Sequence, residues 1–247
     1  MITLMKKSIN KIFNRLKFRY LTTKYFFDQP KTLYHPLPWM GLYEAKRGKG
    51  SQIRLDLINK VLNNQIGSVF DFGSAEGFFS ISLAEKGYNV LALEAKRDRY
   101  EIVKLVSKIL ALKNISFMNM KVDEKNIINF PIFNYTLCLA VWHHWVRYFG
   151  FDNAEKILVV LWEKTTKYMF FETGLPELPE DFGMPEFKGD PDDWLLKYLN
   201  NTLLNSKISI IGQAPSFPPE QFKSNKTKYD DESYLRNIYC IERVDGK

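Results

Sequence analysis

A 247-residue chain with 45% apolar and 15% aromatic residues carries enough apolar mass to offset its chain entropy, which excludes global disorder and leaves room for one sizeable core rather than two ordinary domains. The formal charge of +7 is uneven: through Lys60, thirteen Lys and Arg face only Asp28, Glu44 and Asp56, so an anionic partner is expected near the N-terminal end. Cys138 and Cys240 lie inside apolar runs, away from metal-ligand spacing, and read as reduced thiols of a cytoplasmic protein, while the longest apolar runs (137–142 and 157–162) fall far short of the ~20 residues a membrane-spanning helix needs.

Met5, Ile9, Ile12, Phe13, Leu16 and Tyr20 recur at helical spacing among Lys6, Lys7, Lys11, Arg15 and Arg19, so the first ~20 residues are expected to form a basic amphipathic helix. Packing on the domain, peripheral contact with an anionic membrane surface, nucleic acid and a transit peptide all stay open for it. Residues 34–50 mix Pro36, Pro38, Gly41, Gly48 and Gly50 with Trp39 and several cations, the chemistry of a loop docked onto something. Ser51 reads as the N-cap of a helix whose apolar face is Ile53, Leu57, Ile58, Val61 and Leu62. Two units follow: 1–60, the basic helix and a covering segment, and 61–247, the main domain.

Strands and helices then alternate: strands at 68–72, 90–94, 115–122, 135–142 and 168–172, helices at 78–86, 99–112 and 154–164. Alternation with near-continuous apolar strands implies an α/β fold, a doubly wound, mostly parallel sheet. An acidic, Pro-rich loop at 175–190 precedes a helix from Pro191 through 204. Strands at 207–211 and 237–242 lack a helix between them, which makes this last pair antiparallel.

The segment Asp71-Phe72-Gly73-Ser74-Ala75-Glu76-Gly77 sits where the first strand turns into a helix, the place where doubly wound folds bind nucleotides. A dinucleotide fingerprint would want glycine at 75 and another after 77; Ala75 and Phe78 stand there instead, so the pyrophosphate grip is missing. Asp71-x-Gly73-x-x-x-Gly77 resembles the first motif of class I, Rossmann-like, S-adenosylmethionine-dependent methyltransferases, and the antiparallel end of the sheet is similar to theirs. The resemblance covers roughly 68–172 and implies S-adenosyl-L-methionine as cofactor. It places Gly73, Ser74 and Gly77 beside the methionine part and Asp71 at its amino end. Glu94, ending the second strand, is where an acidic side chain accepts ribose hydroxyls, a feature NAD enzymes share. Asp123, after the third strand, is expected near the adenine amino group, with Glu124 an alternative and a solvated turn the structural reading.

Trp142-His143-His144-Trp145 is expected at the end of the fourth strand, where similar enzymes acting on small molecules often carry a histidine pair. Histidine titrates near neutrality, so His144, or His143, is a candidate general base; a pocket wall is the alternative. Glu172, ending the next strand, either polarises a substrate group or serves in an ion pair or helix cap. Arg54 either grips the cofactor carboxylate or forms an ion pair. Adjacent histidines rarely chelate one ion together, and no metal is implied. The expected activity is methylation of a hydroxyl on a small molecule or glycan. An RNA methyltransferase using the basic N-terminal region, a noncatalytic cofactor-binding protein and an NAD-dependent oxidoreductase are the alternatives.

Overall fold

The computed structural model describes residues 16–20, 23, 33–174, 182–216 and 231–244. Among the described residues seven strands, β1 (Ser68–Phe72), β2 (Asn89–Glu94), β3 (Ile115–Asn119), β4 (Phe133–Leu139), β5 (Thr165–Glu172), β6 (Ser206–Ser216) and β7 (Asp231–Arg243), form one sheet. The spatial order is β3-β2-β1-β4-β5-β7-β6. The first five strands pair in parallel, whereas β7 is antiparallel to both β5 and β6. The order reverses between β1 and β4, and at such a switch point a crevice opens beyond the carboxyl ends of the strands.

Successive residues along a strand face opposite sides of a sheet, and here both sides are apolar. Val69, Leu137 and Phe170 enter one core with α1 (Gly48–Leu62), α2 (Phe78–Glu85) and α3 (Arg97–Ile109). Phe70, Cys138 and Phe171 enter the other with α4 (Trp142–Phe149), α5 (Phe151–Glu163) and α6 (Pro191–Thr202). Burial on both faces explains why these strands read as continuous apolar runs.

Several boundaries differ from the sequence reading. β4 stops at Leu139, Ala140 takes a left-handed φ of 57°, and the two histidines lie in the first turn of α4 rather than on a strand. Trp142, His143, Trp145 and Val146 are its buried residues, a spacing that suits a helix; a short apolar run alone does not reveal that switch of period. β3 ends at Asn119, whose amide donates to the Glu94 and Ala95 carbonyls in place of further pairing. Ser51 lies inside α1, not at its cap: the helix starts at Gly48, and the Ser51 hydroxyl donates to the Arg47 carbonyl. α1 also runs across the division placed at residue 60.

Of the expected basic helix, residues 16–20 are described and are helical; the rest lies outside the described residues. Phe18 is buried there, while Leu16 and Tyr20, assigned to the apolar face, are exposed. The segment from Leu33 to Arg47 forms a strap pinned by bridges Leu33–Ala45 and Leu37–Leu42, with Leu33 and Leu37 in the core. Among the described residues no helix is long and apolar enough to cross a membrane.

The turn between β1 and α2 tolerates little change. Gly77 has φ of 87°, and a Cβ there would run into Val103 of α3. Gly77→Ala should therefore destabilise the protein by about 2–4 kcal/mol, combining left-handed strain with overpacking. An unchanged urea midpoint would contradict this packing.

Candidate active site

The carboxyl edge of β1 and β2 is closed by the glycine turn. Gly73 and Ser74 donate their N–H groups to the Leu93 carbonyl at 2.9 and 2.8 Å, which folds the turn over the end of β2. Gly73 has φ of 78°, and a Cβ on it would come 2.7 Å from Val141, so the turn also lies against the exit of β4. Glu94 is buried and accepts from Ala75 N–H (2.9 Å) and Lys96 N–H (2.7 Å), one bond per oxygen. Burial raises its pKa, opposed by those two bonds and by Arg99. Each oxygen retains a lone pair for a ligand hydroxyl. Among the described residues the buried Ser74 hydroxyl has no hydrogen-bond partner, a condition a bound polar group would relieve. A carboxylate and an orphaned hydroxyl on a glycine turn fit a ligand that carries ribose and amino-acid polar groups.

Asp71 is buried beneath this turn and accepts from the Ser80 hydroxyl at 2.5 Å. Burial first, and the nearby Glu94 charge, push its carboxyl up to about 7 against the Ser80 hydrogen bond. Asp123 turns inward on its own chain: Oδ1 accepts from the N–H groups of Lys125 and Asn126, both at 3.0 Å. That geometry is the solvated-turn reading, and Oδ2 is left for any ligand contact. Glu124 is exposed beside it.

Glu76 is fully buried between the two glycines and went unassigned in the sequence reading. It accepts from the N–H groups of Tyr34 (3.2 Å) and His35 (3.3 Å), tying the strap across the start of α2. Arg99 lies 3.7 Å from it. The His35 ring bonds Ser51 Oγ at 2.7 Å and stacks near Phe78. Burial, then the cations Arg47, Arg54 and Arg99, hold His35 well below the usual histidine range. An acidic residue between two glycines, beside only the small Ser74 and Ala75, was the available signal.

At the carboxyl end of β5, Glu172 is fully buried among three arginines. Arg54 grips it in bidentate fashion, Nε to Oε2 at 2.6 Å and Nη2 to Oε1 at 2.9 Å, and its Nη1 donates to the Pro215 carbonyl. Arg47 donates to Oε1 at 2.9 Å, and Arg236 of β7 lies 3.5 Å away. Burial alone would push this carboxyl up, but Arg54, Arg47 and Arg236 outweigh it and hold it well below the carboxylate range. Of the alternatives open for each, a cofactor carboxylate or an ion pair for Arg54 and a substrate group, an ion pair or a helix cap for Glu172, the structure has the ion pair, each with the other. Both are 1% exposed or less. Arg47 and Arg236 belong to the same cluster, and nothing in their local sequence marked them.

The histidines have unlike surroundings. His143 is buried, and its Nδ1 accepts from Gly174 N–H and lies beside Thr173 Oγ1, each at 3.3 Å. A backbone donor on Nδ1 leaves the proton of the neutral ring on Nε2. Burial, then His144, Arg236 and Arg47, push its pKa well down against the opposing Glu172 charge. His144 is exposed, its ring centroid 4.4 Å from that of His143. Partial desolvation, then Arg147, Lys96, Arg99 and Arg236, lower its pKa too. Both rings are thus neutral at pH 7, and only His144 is open to solvent. The backbone bond from Ala140 N–H to the Glu172 carbonyl at 2.9 Å ties the exits of β4 and β5 together.

No protein-family model matches the chain. It is 27% identical over 147 residues to the O-antigen chain terminator bifunctional methyltransferase/kinase WbdD of Escherichia coli, an alignment of 57% of this chain and 20% of that protein. The chain thus spans about a fifth of the length of the curated relatives it matches. The crystal structure of WbdD superposes with a TM-score of 0.66 over 89% of this chain and 46% of its own, at 22% identity. Magnesium protoporphyrin IX methyltransferase from Synechocystis with bound SAM superposes with a TM-score of 0.53 over 79% of this chain and 80% of its own, at 17% identity. This is the class I S-adenosylmethionine-dependent methyltransferase fold. Within the class I fold the glycine turn, Glu94, the histidines and Glu172 all occupy the carboxyl edge of the sheet.

Asp71 and Glu172 make opposite demands on pH. Asp71 has a folded pKa raised above its unfolded value, so the native state binds the extra proton and stability falls as pH rises from about 4 to about 7. Asp71→Asn should remove that slope, at most about 1.4 kcal/mol per pH unit; parallel stability curves for the two proteins over this range would contradict it. Glu172 has a depressed pKa, so its contribution is present above the ordinary carboxylate range and lost on acidification. Glu172→Ala should cost about 3–5 kcal/mol near neutral pH because it strands buried guanidiniums, and a denaturation midpoint matching the wild type would contradict the cluster.

Proposed function

We propose that the chain is an S-adenosylmethionine-dependent methyltransferase that methylates a hydroxyl of a small molecule or glycan. The observation that carries this reading is the pairing of a buried, ligand-competent Glu94 with the orphaned Ser74 hydroxyl on the turn at the sheet's switch point. Glu94 would accept the ribose hydroxyls, and Ser74 with the N–H edge of the turn would meet the amino-acid end. Asp71, next to the turn, would favour the cofactor's ammonium group by giving up its proton. Asp123 or Glu124 would approach the adenine amino group. The cofactor supplies a methyl group on a sulfonium, a reactive electrophile with a neutral leaving group. The absence of a pyrophosphate-binding glycine pattern disfavours an NAD-dependent oxidoreductase.

His144 would accept the acceptor's hydroxyl proton on an imidazole nitrogen as methyl transfer proceeds, since its ring is neutral and open. His143 would instead present Nε2–H as a hydrogen-bond donor, because Gly174 N–H occupies Nδ1. Glu172 and Arg54 would act at one remove, by holding the strap, β5 and β7 in register around that pocket. The name of the E. coli relative, an O-antigen chain terminator, supports a glycan acceptor. The basic N-terminal region would then serve as the approach to an anionic surface, whether lipid or nucleic acid, in the cytoplasm.

Glu94→Ala should weaken S-adenosylhomocysteine binding about tenfold or more while the protein stays folded, the size expected for hydrogen bonds to a charged group. Calorimetry with unchanged affinity would remove Glu94 from the site. His144→Ala should lower turnover by about 10²–10⁴-fold with cofactor affinity unchanged, and higher pH should restore part of it. In the wild type the acid limb of the pH–rate profile should fall below the usual histidine range, since the pKa of His144 is lowered. A full-rate variant, or one whose defect does not vary with pH, would leave His144 as a wall of the pocket.

A further inference from the structure

The outer face of α4 adjoins the candidate base and has no part in the reading so far. His144, Arg147 and Tyr148, at i, i+3 and i+4, share that face and are all exposed. The helix sequence from Trp142 to Phe149 contains no acidic residue. Lys121, exposed beyond the end of β3, sets its ammonium 4.8 Å from the Tyr148 ring centroid and 5.5 Å from that of Phe149. The Tyr148 ring lies near-parallel to His144, 26° between planes and 6.5 Å between centroids. Phe182 lies beside both histidines at 5.9 and 6.1 Å, and the Arg147 guanidinium sits 4.8 Å from its ring centroid. Beside His144, therefore, the buried Phe182 underlies Arg147, and the open Tyr148 ring carries Lys121. Tyr148 remains 62% exposed there, a large ring held in place by a cation yet covering no core.

We propose that this face is an acceptor subsite, in which Tyr148 stacks on the ring of a sugar and Lys121 and Arg147 meet a carboxylate or phosphate of the same glycan, next to the hydroxyl presented to His144. This deepens the methyltransferase reading and rests on it. An aromatic ring offers a flat apolar surface that complements the C–H face of a sugar and a hydroxyl that pairs with its polar edge. Lys121 and Arg147 supply charge complementarity to an acidic substituent. Single-stranded RNA would call for several successive stacking platforms along a basic groove. One open ring flanked by cations matches one sugar and one acid group better.

The test uses the full chain saturated with S-adenosylhomocysteine and a panel of oligosaccharides of matched length, either neutral, carboxylated or phosphorylated, with oligouridylate and inorganic phosphate as controls. Acidic glycans should bind about tenfold more tightly than neutral ones, and less so as salt is raised. Tyr148→Ala should weaken neutral and acidic glycans alike by about five- to tenfold, as lost stacking would. Lys121→Ala combined with Arg147→Ala should weaken the acidic ones more than the neutral ones and bring them to the neutral level. Both variants should bind S-adenosylhomocysteine as the wild type does, which shows they are folded. Equal binding of neutral and acidic glycans, binding of none, unchanged binding by both variants, or tighter binding of oligouridylate through the same residues would each overturn the subsite. A wild-type chain that fails to bind S-adenosylhomocysteine would overturn the methyltransferase reading instead, and glycan binding would then be judged separately.

Discussion

One buried carboxylate holds the site together. Glu172 sits at the carboxyl end of β5 with Arg47 and Arg54 reaching it from the strap and α1, and Arg236 from β7. Taking these charges out of water costs several kcal/mol per ion, and the cost is met only where geometry is good and remaining donors are satisfied. The bidentate Arg54 grip, with its third nitrogen on the Pro215 carbonyl of β6, meets that condition. The cluster therefore fixes position more than it adds stability: the N-terminal cover, the fifth strand and the antiparallel pair cannot shift independently without stranding a charge. Glu76 does the same at the other side of the strap, through the backbone of Tyr34 and His35.

That constraint shapes the chemistry next to it. His143 hangs on the two residues that follow Glu172, so its tautomer is set by the same strand end that carries the cluster. The guanidiniums also help keep both imidazoles neutral. At the glycine turn the polarity reverses: Asp71 is buried, and the nearby Glu94 charge raises its cost of ionisation, a cost that a cationic ligand would relieve.

The parallel core was legible in the sequence because double-sided burial leaves continuous apolar strands, and the glycine turn because Gly73 and Gly77 need left-handed backbone that other residues resist. The antiparallel end followed from a missing crossover helix. The switch from β4 to α4 was hidden: Leu137 through Trp142 is apolar throughout, and a strand and a buried helix start share that pattern. Partners far apart in sequence were hidden more completely. Arg54 and Glu172 are separated by 118 residues, and although an ion pair was open for each, nothing in the sequence made them partners. Glu76 and Tyr148 carried no assignment at all. Local periodicity reports which face is buried, and it carries no information about which buried charges meet.

The central claim is that the carboxyl edge from the glycine turn to Glu94 is a cofactor site covered by the strap that Glu76 and Glu172 hold down. Hydrogen exchange of the wild-type chain with and without S-adenosylhomocysteine tests it most directly, because slow exchange reports local opening. The account predicts added protection at the amides of Ser74 to Phe79, of Ala95 and Lys96, and of the strap from Tyr34 to Arg47 with the start of α1 to Gln52, with little change at the far edge in β6. Protection elsewhere, none at all, or the same pattern produced by NAD would contradict it.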